Sequence, residues 1–192
     1  MTKIKLGPKT LLYPMPALLI GANVENKPNF MALAWGGIAN GNPPMISVAI
    51  RRTRYTYKGI AQNNSFSVNI PSQDMVVETD YCGIASGSKE TKIDVCKFSI
   101  FYGTAGNAPM IEQCPINLEC SVVNSLDLGS HILIIGRIEE TYISEECITR
   151  GKPDIRKVKP FFYTTYEGRY RRIGKVIAKA FSAGKELQKE TL

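Results

Sequence analysis

The stretch from Asn29 to Pro71 decides the fold, and it reads NFMALAWGGIANGNPPMISVAIRRTRYTYKGIAQNNSFSVNIP. Apolar runs separated by a Pro-Pro break and by a polar segment predict three β-strands, with a helix before the third. Residues 51–56, RRTRYT, supply three guanidinium groups and two threonine hydroxyls where that helix begins. A helix N-terminus also offers free N–H groups and a favourable dipole, so this segment predicts a phosphate-binding site.

Further apolar, β-branched runs on both sides of this stretch predict a mainly β protein. Short turns at 42–44 and 127–129 join neighbouring runs, and strands joined by short turns pair antiparallel. We therefore expect an antiparallel barrel of six or seven strands in Greek-key order. The predicted strands are 17–24, 30–40, 45–50, 65–70, 116–125, 130–142 and 161–166.

Three helices are expected beside these strands. Thr53 is placed to cap a helix over 54–63, and Ser72 is placed to cap one over 73–84. The segment 175–188 repeats apolar residues at helical spacing and predicts a C-terminal helix. That helix would pack on the barrel or on a partner subunit.

Composition narrows the class of protein. The chain has 192 residues and 44% hydrophobic residues, which fits one domain over 1–192. The N-terminus lacks a convincing signal peptide, and no run reaches the roughly 18–20 apolar residues that span a bilayer. Five cysteines without a C-x-x-C pair predict free thiols and no metal site. We therefore expect a cytoplasmic protein without a membrane segment.

Positive charge is concentrated between residues 150 and 175. This segment holds nine basic and two acidic residues, an excess equal to the chain's net charge of +7. Such a segment can bind an acidic protein, a dinucleotide phosphate or a nucleic acid. For a nucleic acid, the bases would stack on Tyr163, Tyr166 and Tyr170. The segment can also be a solvated strand edge that discourages aggregation.

Glycines 36 and 37 follow the single tryptophan, Trp35, inside a predicted strand. Glycine within a strand weakens it and usually marks the close approach of a ligand or of another backbone segment. An indole beside two glycines predicts the wall and floor of a site for a flat ring. A core tryptophan beside a β-bulge is the alternative.

The order of AWGG, NPPMISVAIRRTRYTYKGI and FSVNIP resembles the flavoredoxin and flavin reductase-like, FMN-binding split-barrel family, over about residues 10–165. The resemblance implies an antiparallel Greek-key split β-barrel with a few peripheral helices and a C-terminal helix. It also implies FMN as cofactor and a homodimer whose flavin sites lie near the two-fold interface.

The resemblance further implies which residues contact the flavin. Arg54 and Thr56, with backbone N–H groups near Arg52 and Thr53, would hold the phosphate. Lys92 is preferred over Lys89 as a further cation on that side. The full set of flavin residues implied is Asn29, Ala34, Trp35, Gly36, Gly37, Ile38, Arg52, Thr53, Arg54, Thr56, Asn69, Ile70, Ser86, Gly87, Ser88, Lys92, His131 and Phe162.

Three members of this set have alternatives. His131, the only histidine, follows Ser130 where family members often carry an aspartate, so a carboxylate that orients the ring is missing at that position. Asn69 would bond the pyrimidine end of the flavin or cap its strand. Phe161 and Phe162 point to opposite faces of a strand, so only one can cover the ring, and Phe162 is our choice.

The flavin would carry the chemistry, so no catalytic side chain is predicted. Residues 103–107, GTAGN, lack the third glycine and the βαβ setting of a dinucleotide fingerprint, so any nicotinamide would stack transiently on the flavin. Two functions remain within the family: a flavoredoxin-type carrier that exchanges electrons with an acidic protein such as ferredoxin, or an NAD(P)H-dependent flavin reductase. A non-enzymatic nucleic-acid-binding β-barrel that uses residues 150–175 is the alternative outside it.

Overall fold

The computed structural model describes residues 1–185 and 187. Strands dominate this part of the chain, and the helices lie between them in sequence. The strands are β1 (Met15–Pro16), β2 (Leu18–Val24), β3 (Lys27–Leu33), β4 (Gly36–Gly41), β5 (Pro44–Ile50), β6 (Ser65–Ile70), β7 (Ile100–Tyr102), β8 (Pro109–Ile111), β9 (Ile116–Asp127), β10 (Ile132–Ile143), β11 (Ile148–Thr149), β12 (Lys152–Pro153), β13 (Phe161–Thr164) and β14 (Arg169–Arg172). The α-helices are α1 (Tyr55–Asn63), α2 (Val76–Ile84), α3 (Lys92–Cys96) and α4 (Ile155–Val158), and 3-10 turns cover Gln73–Met75, Glu145–Cys147 and Ala183–Lys185.

Seven strands form one antiparallel sheet in the order β3–β2–β6–β9–β10–β5–β4. Its two edge strands, β3 and β4, follow each other in the chain with only Ala34 and Trp35 between them. That connection spans at most about 10 Å, so the two edges of the sheet meet and the sheet closes on itself. The predicted antiparallel barrel is confirmed.

Alternating side chains fill the barrel. In β5, Ile46, Val48 and Ile50 are buried, while the residues between them are half-exposed, as expected for a strand with one face on the core. A second apolar cluster, which includes Phe30 and Cys82, lies where α2 and α3 pack against β3. This second cluster fixes the helices beside the barrel edge at which the candidate site lies.

Helix α1 packs unusually close to the barrel. A Cβ at Gly59 would lie 2.2 Å from the carbonyl oxygen of Asn23 in β2, so only glycine permits this approach. The contact fixes the axis of α1, and with it the position of its N-terminus.

Two predicted local features differ in the structure. The predicted strand 30–40 is interrupted at Ala34–Trp35, because the chain crosses there from one sheet edge to the other. Thr53 does not cap α1: the N-cap residue is Arg54, and no side chain bonds the first turn. Ser72 is confirmed as a cap, since its hydroxyl accepts a hydrogen bond from the Asp74 N–H ahead of α2.

The predicted C-terminal helix over 175–188 is wrong for the residues that the structure describes up to 182. These residues are irregular, and a 3-10 turn, Ala183–Lys185, follows. Val176, Ile177 and Phe181 are each at least 91% exposed, so the apolar face has no surface to pack on, and short unpacked helices are marginal in water. Residues 186 and 188 lie outside the described residues.

None of the helices in the described part of the chain is long and apolar enough to cross a membrane.

Candidate functional site

The N-terminus of α1 is open to a ligand. Its first turn contains no acidic residue, and its N-cap, Arg54, makes no side-chain cap bond. The Arg54 guanidinium instead donates from Nη1 to the carbonyl oxygen of Gly83, 3.1 Å away at the end of α2. The Tyr57 N–H donates to the carbonyl oxygen of Arg54 at 3.0 Å, so the N–H groups that α1 can offer to an anion are those of Tyr55 and Thr56.

A polar cleft of about 190 Å³ lies at this helix end. It brings together three separate segments: β3, the start of α1, and the loop that connects α2 to α3. Three cations, Arg51, Arg54 and Lys92, face one another across it. The lining residues are Met31, Arg51, Thr53, Arg54, Tyr55, Thr56, Ile84, Ala85, Ser86, Gly87 and Lys92.

Lys92 is the buried cation of the polar cleft. Its Nζ donates to the carbonyl oxygens of Phe30 at 2.8 Å and of Cys82 at 2.9 Å. Burial is the main cause that lowers the pKa of Lys92 below its ordinary value, and the Arg54 cation lowers it further. An ammonium has three donors, so the two carbonyls leave one for a ligand.

Asn29 does not line the polar cleft, but it contacts two residues that line it, Thr56 and Gly87. Its Nδ2 donates to the Oγ1 of Thr56 at 2.7 Å, and both residues are buried. A Cβ built on Gly87 would lie 1.9 Å from the Oδ1 of Asn29, so the loop between α2 and α3 rests directly on this amide. Asn29 thus positions α1, through its hydrogen bond to Thr56, and the loop between α2 and α3, through its contact with Gly87.

An aromatic cleft of about 370 Å³ continues from the polar cleft. The two share Met31, Arg51 and Arg54, so a single elongated ligand can occupy both. The lining residues are Met31, Ala32, Leu33, Ala34, Trp35, Ala49, Arg51, Arg54, His131 and Tyr163.

Trp35 and His131 stack in the aromatic cleft. Their ring centroids lie 4.5 Å apart with 27° between the planes. The Oγ of Ser130 lies 2.9 Å from the Nδ1 of His131, so a hydroxyl contacts the ring at the position that lacks a carboxylate in this chain. Burial, and then the nearby Arg51 cation, lower the pKa of His131 below its ordinary value, which favours the neutral imidazole at neutral pH.

Several predicted site residues lie outside these two clefts. Gly36 and Gly37 line a different cleft beneath the N-terminal segment, and Ile38 lines none of the three. The Arg52 side chain turns away to Asp127, with 2.6 Å between Nη2 and Oδ2. Ser88 bonds the hydroxyl of its neighbour Ser86 rather than lining the polar cleft.

Asn69 belongs to the barrel wall. It is fully buried and donates to the carbonyl oxygen of Leu19 and to the hydroxyl of Ser67. Its oxygen accepts from the Ile111 N–H and from the Asn117 side chain. Its amide is thus fully used inside the protein, and the expected flavin contact of Asn69 stays a prediction. Ile70, the next residue, packs against the barrel core.

The aromatic side chain of β13 that reaches the cleft is Tyr163. Phe161 is buried, and both it and Tyr163 contact the ring of Tyr170, with centroid distances of 5.4 Å and 5.8 Å. Residues two apart share a strand face, so Phe162 points the other way and does not line the cleft. The side chain that lines this cleft is therefore Tyr163, which the same periodicity could have indicated, and a contact between Phe162 and a flavin stays a prediction.

Arg51 is another lining residue that the predicted set omits, as it does Met31, Ala32, Leu33, Ala49, Tyr55, Ile84 and Ala85. Arg51 lines both clefts, whereas Arg52 lines neither. Arg51 directly follows β5, where the chain leaves the sheet before α1. That position in the sequence could have indicated that Arg51 lines the clefts.

The basic segment 150–175 is partly neutralised. Arg156 pairs with Asp154 at 2.9 Å, and Arg171 pairs with Glu167 at 2.9 Å. Lys159 lies 3.7 Å from Asp74. This segment folds as a short helix and a hairpin, α4 and β13–β14, rather than as one continuous cationic surface.

The barrel and the two joined clefts define a split-barrel protein whose site suits an anionic group beside a flat ring. The profile of the family described as "Flavin reductase like domain" matches residues 10–174, and the chain belongs to this family.

Solved structures and a curated relative agree with this assignment. A flavoredoxin from Methanosarcina acetivorans is 43% identical, with a TM-score of 0.93 over 97% of this chain and 100% of that one. The flavoredoxin of Desulfovibrio vulgaris (Miyazaki F) is 36% identical, with a TM-score of 0.89 over 95% and 100%. An uncharacterized protein of Archaeoglobus fulgidus is 33% identical over 144 residues, which are 75% of this chain and 80% of that protein.

Proposed function

We propose that this protein is a redox flavoprotein that binds FMN across the polar and aromatic clefts. The observation that carries the proposal is the uncapped N-terminus of α1, which Arg51, Arg54 and Lys92 surround. Membership of the flavin reductase-like family and similarity to two flavoredoxins support a flavin as the ligand.

The residues of the polar cleft fit a phosphate. A guanidinium binds phosphate oxygens through a planar fork of donors, and a helix N-terminus adds backbone N–H groups. Three cations balance a phosphate dianion with positive charge to spare. Riboflavin, which has no phosphate, would leave this cleft unused.

The residues of the aromatic cleft fit an isoalloxazine ring. Residues 31–34 offer apolar side chains, and Trp35, His131 and Tyr163 provide aromatic surfaces around them. A bound flavin supplies the hydride or electron transfer, while the protein orients it and sets its surroundings. Arg51 and Arg54 border both clefts, so their charge would stabilise negative charge on the ligand.

Purification tests this proposal directly. The protein should be yellow, and the flavin released on denaturation should run as FMN in chromatography. Flavin-free protein should bind FMN at least roughly tenfold more tightly than riboflavin, as expected for one charged hydrogen bond or more. Equal affinity for the two flavins would show that the polar cleft does not hold the phosphate.

We further propose that the protein acts as an electron carrier with an acidic redox partner. The similarity to flavoredoxins and the residual positive charge of the segment 150–175 support this choice over a flavin reductase. Stopped-flow mixing of the oxidised protein with reduced ferredoxin, NADH and NADPH tests it. The ferredoxin rate should be the fastest and should fall as salt rises, because exposed charges are screened over about 10 Å at 0.1 M. Rapid, salt-insensitive reduction by NADH would make the protein a flavin reductase.

A nucleic-acid-binding function has weaker support. The three ion pairs in the segment 150–175 reduce the charge available to phosphates, and the family assignment accounts for the 29–71 stretch, which this alternative does not.

The five cysteines are free thiols, which supports a reducing, cytoplasmic location.

We also propose a homodimer that packs through the outer face of β5, β10 and β9. Ala49, Leu133 and Leu126 lie in register across these strands, and Leu126 is 56% exposed. Ala49 also lines the aromatic cleft, so a second copy on this face would border the flavin. Sedimentation should show a dimer that Leu126→Lys dissociates and that Leu6→Lys leaves intact. A stable, FMN-saturated monomer of the unaltered chain would contradict the proposal.

A further inference from the structure

A third cleft, of about 590 Å³, lies between the N-terminal segment and the strands β4 and β5. We call it the N-terminal cleft. Residues 9–12 and 14–16 form one side, and Ala34, Trp35, Gly36, Gly37 and Ser47 form the other. This volume lies within the range of about 300–1,000 Å³ that is typical of small-molecule sites.

The segment that covers this cleft is held in place. Tyr13 donates from its hydroxyl to the carbonyl oxygen of Thr165 at 2.7 Å. Strand β1 then pairs with β13, with Met15 opposite Tyr163. The end of this segment, residues 13–16, is therefore held on β13 and the turn that follows it.

The chemistry of the lining favours an apolar ligand. Leu11, Leu12 and Trp35 are 44%, 68% and 40% exposed, so large apolar side chains face open space here. The hydroxyl of Ser47 donates to the carbonyl oxygen of Gly37 at 3.1 Å, which leaves few polar groups for a ligand. Lys9 supplies a single cation that can donate to a carbonyl oxygen.

We propose that the N-terminal cleft is a second ligand site, which takes an uncharged planar aromatic molecule of the quinone class. Ala34 and Trp35 line both this cleft and the aromatic cleft, so the bound ring would lie next to the flavin. The position of the ring next to a flavin rests on the proposed function. The cleft itself does not, because no residue of α1 or α3 lines it.

The test uses menadione (2-methyl-1,4-naphthoquinone) and the single tryptophan of the chain, which is Trp35. Menadione should quench the Trp35 fluorescence of flavin-free protein in a saturable way, with one molecule per chain by equilibrium dialysis. A parallel FMN titration separates the two proposals. Protein that binds menadione but not FMN would contradict only the proposed function, and protein that binds FMN but not menadione would contradict only the second site.

Glycine substitutions in β4 provide matched variants. A Cβ at Gly37 or Gly41 meets nothing within 4 Å, and neither has a left-handed backbone, so both accept leucine. Gly37→Leu fills the cleft and should weaken menadione binding by roughly tenfold or more, whereas Gly41→Leu lies outside the cleft and should not. If Gly37→Leu fails to fold, Leu12→Asp with Leu6→Asp as control makes the same comparison at exposed positions of the N-terminal segment.

Three results would overturn the proposal. The first is quenching that does not saturate. The second is binding of menadione by Gly37→Leu and Leu12→Asp with the affinity of the unaltered protein. The third is an apparent affinity that falls as protein concentration rises. The last result would mean that a second copy of the chain fills the cleft.

Discussion

The polar cleft and the basic segment 150–175 both concentrate positive charge, yet they use it differently. In the segment, Arg156, Lys159 and Arg171 have carboxylate partners within ion-pair distance. In the cleft, Arg51, Arg54 and Lys92 form no ion pair within the described part of the chain, and the hydrogen bonds of Arg54 and Lys92 go to backbone carbonyls. Cations without counterions at a helix N-terminus therefore indicate a site, whereas a count of charges along the sequence does not.

The largest effect should come from Lys92→Met, because methionine keeps the length of the side chain and removes its donors. The carbonyls of Phe30 and Cys82 would lose a buried partner, at about 1–3 kcal/mol of stability. Loss of a charged hydrogen bond to phosphate should weaken FMN by roughly tenfold to a hundredfold. Urea unfolding and FMN fluorescence titration measure the two effects.

Lys157→Met is the matched control in the basic segment. Lys157 is exposed, and its Nζ also donates to a backbone carbonyl, that of Ile148, at 2.8 Å. Its loss should change FMN affinity by less than about threefold. If both variants weaken FMN equally, the contrast between the two regions is wrong.

Gly87→Ala should have the next largest effect. The added Cβ would displace Asn29, which holds Thr56 at the start of α1. Such overpacking costs about 1–3 kcal/mol, and we expect FMN to bind roughly tenfold more weakly. Gly41→Ala, at an open position of β4, should bind FMN normally. Unchanged FMN binding by Gly87→Ala would show that Asn29 does not position the cleft.

The smallest effect concerns the pKa of His131. Proton NMR of this single histidine should give a pKa below about 6.5, and Arg51→Ala should raise it, because Arg51 is one cause of its lowering. Arg52→Ala, whose side chain pairs with Asp127, should leave it unchanged. A larger rise with Arg52→Ala than with Arg51→Ala would reverse the assignment of the two arginines.

The lowered pKa of His131 also predicts the sign of a pH effect on the stability of the folded protein. The folded-state pKa of His131 lies below that of the unfolded chain, so the unfolded chain takes up this proton first as pH falls. This group therefore lowers the free energy of unfolding as pH falls below about 6.5. Urea unfolding at different pH values measures this effect, and a His131→Gln variant should lack the contribution of His131 to the pH dependence of the free energy of unfolding.

The sequence predicted the barrel because its strands depend on local patterns. The run at 65–70, SFSVNI, alternates and the run at 45–50, MISVAI, is strongly apolar, and both became strands with the expected bounds to within a residue. The segment 175–188 has an equally regular helical pattern, but a pattern predicts a helix only where its apolar face has a partner. In that segment Val176, Ile177 and Phe181 stay exposed to solvent.

Within the site, the sequence located the segments better than the individual side chains. Arg51 and Arg52 are adjacent and chemically identical, so only the turn after β5 decides which of them faces the clefts. Asn69 is a polar residue at a strand end, and its role depends on partners 42 and 48 positions away, Ile111 and Asn117. Contacts of that kind cannot be read from local spacing.

Flavin affinities of Arg54→Ala and Arg52→Ala test the central claim most directly. Arg54→Ala should weaken FMN by roughly tenfold to a hundredfold and leave riboflavin within about threefold, because only FMN has a phosphate for this guanidinium. Arg52→Ala removes the same charge two residues away and should leave both affinities within about threefold. Equal losses of FMN and riboflavin in Arg54→Ala, or an equal loss of FMN in Arg52→Ala, would contradict a phosphate site at the N-terminus of α1.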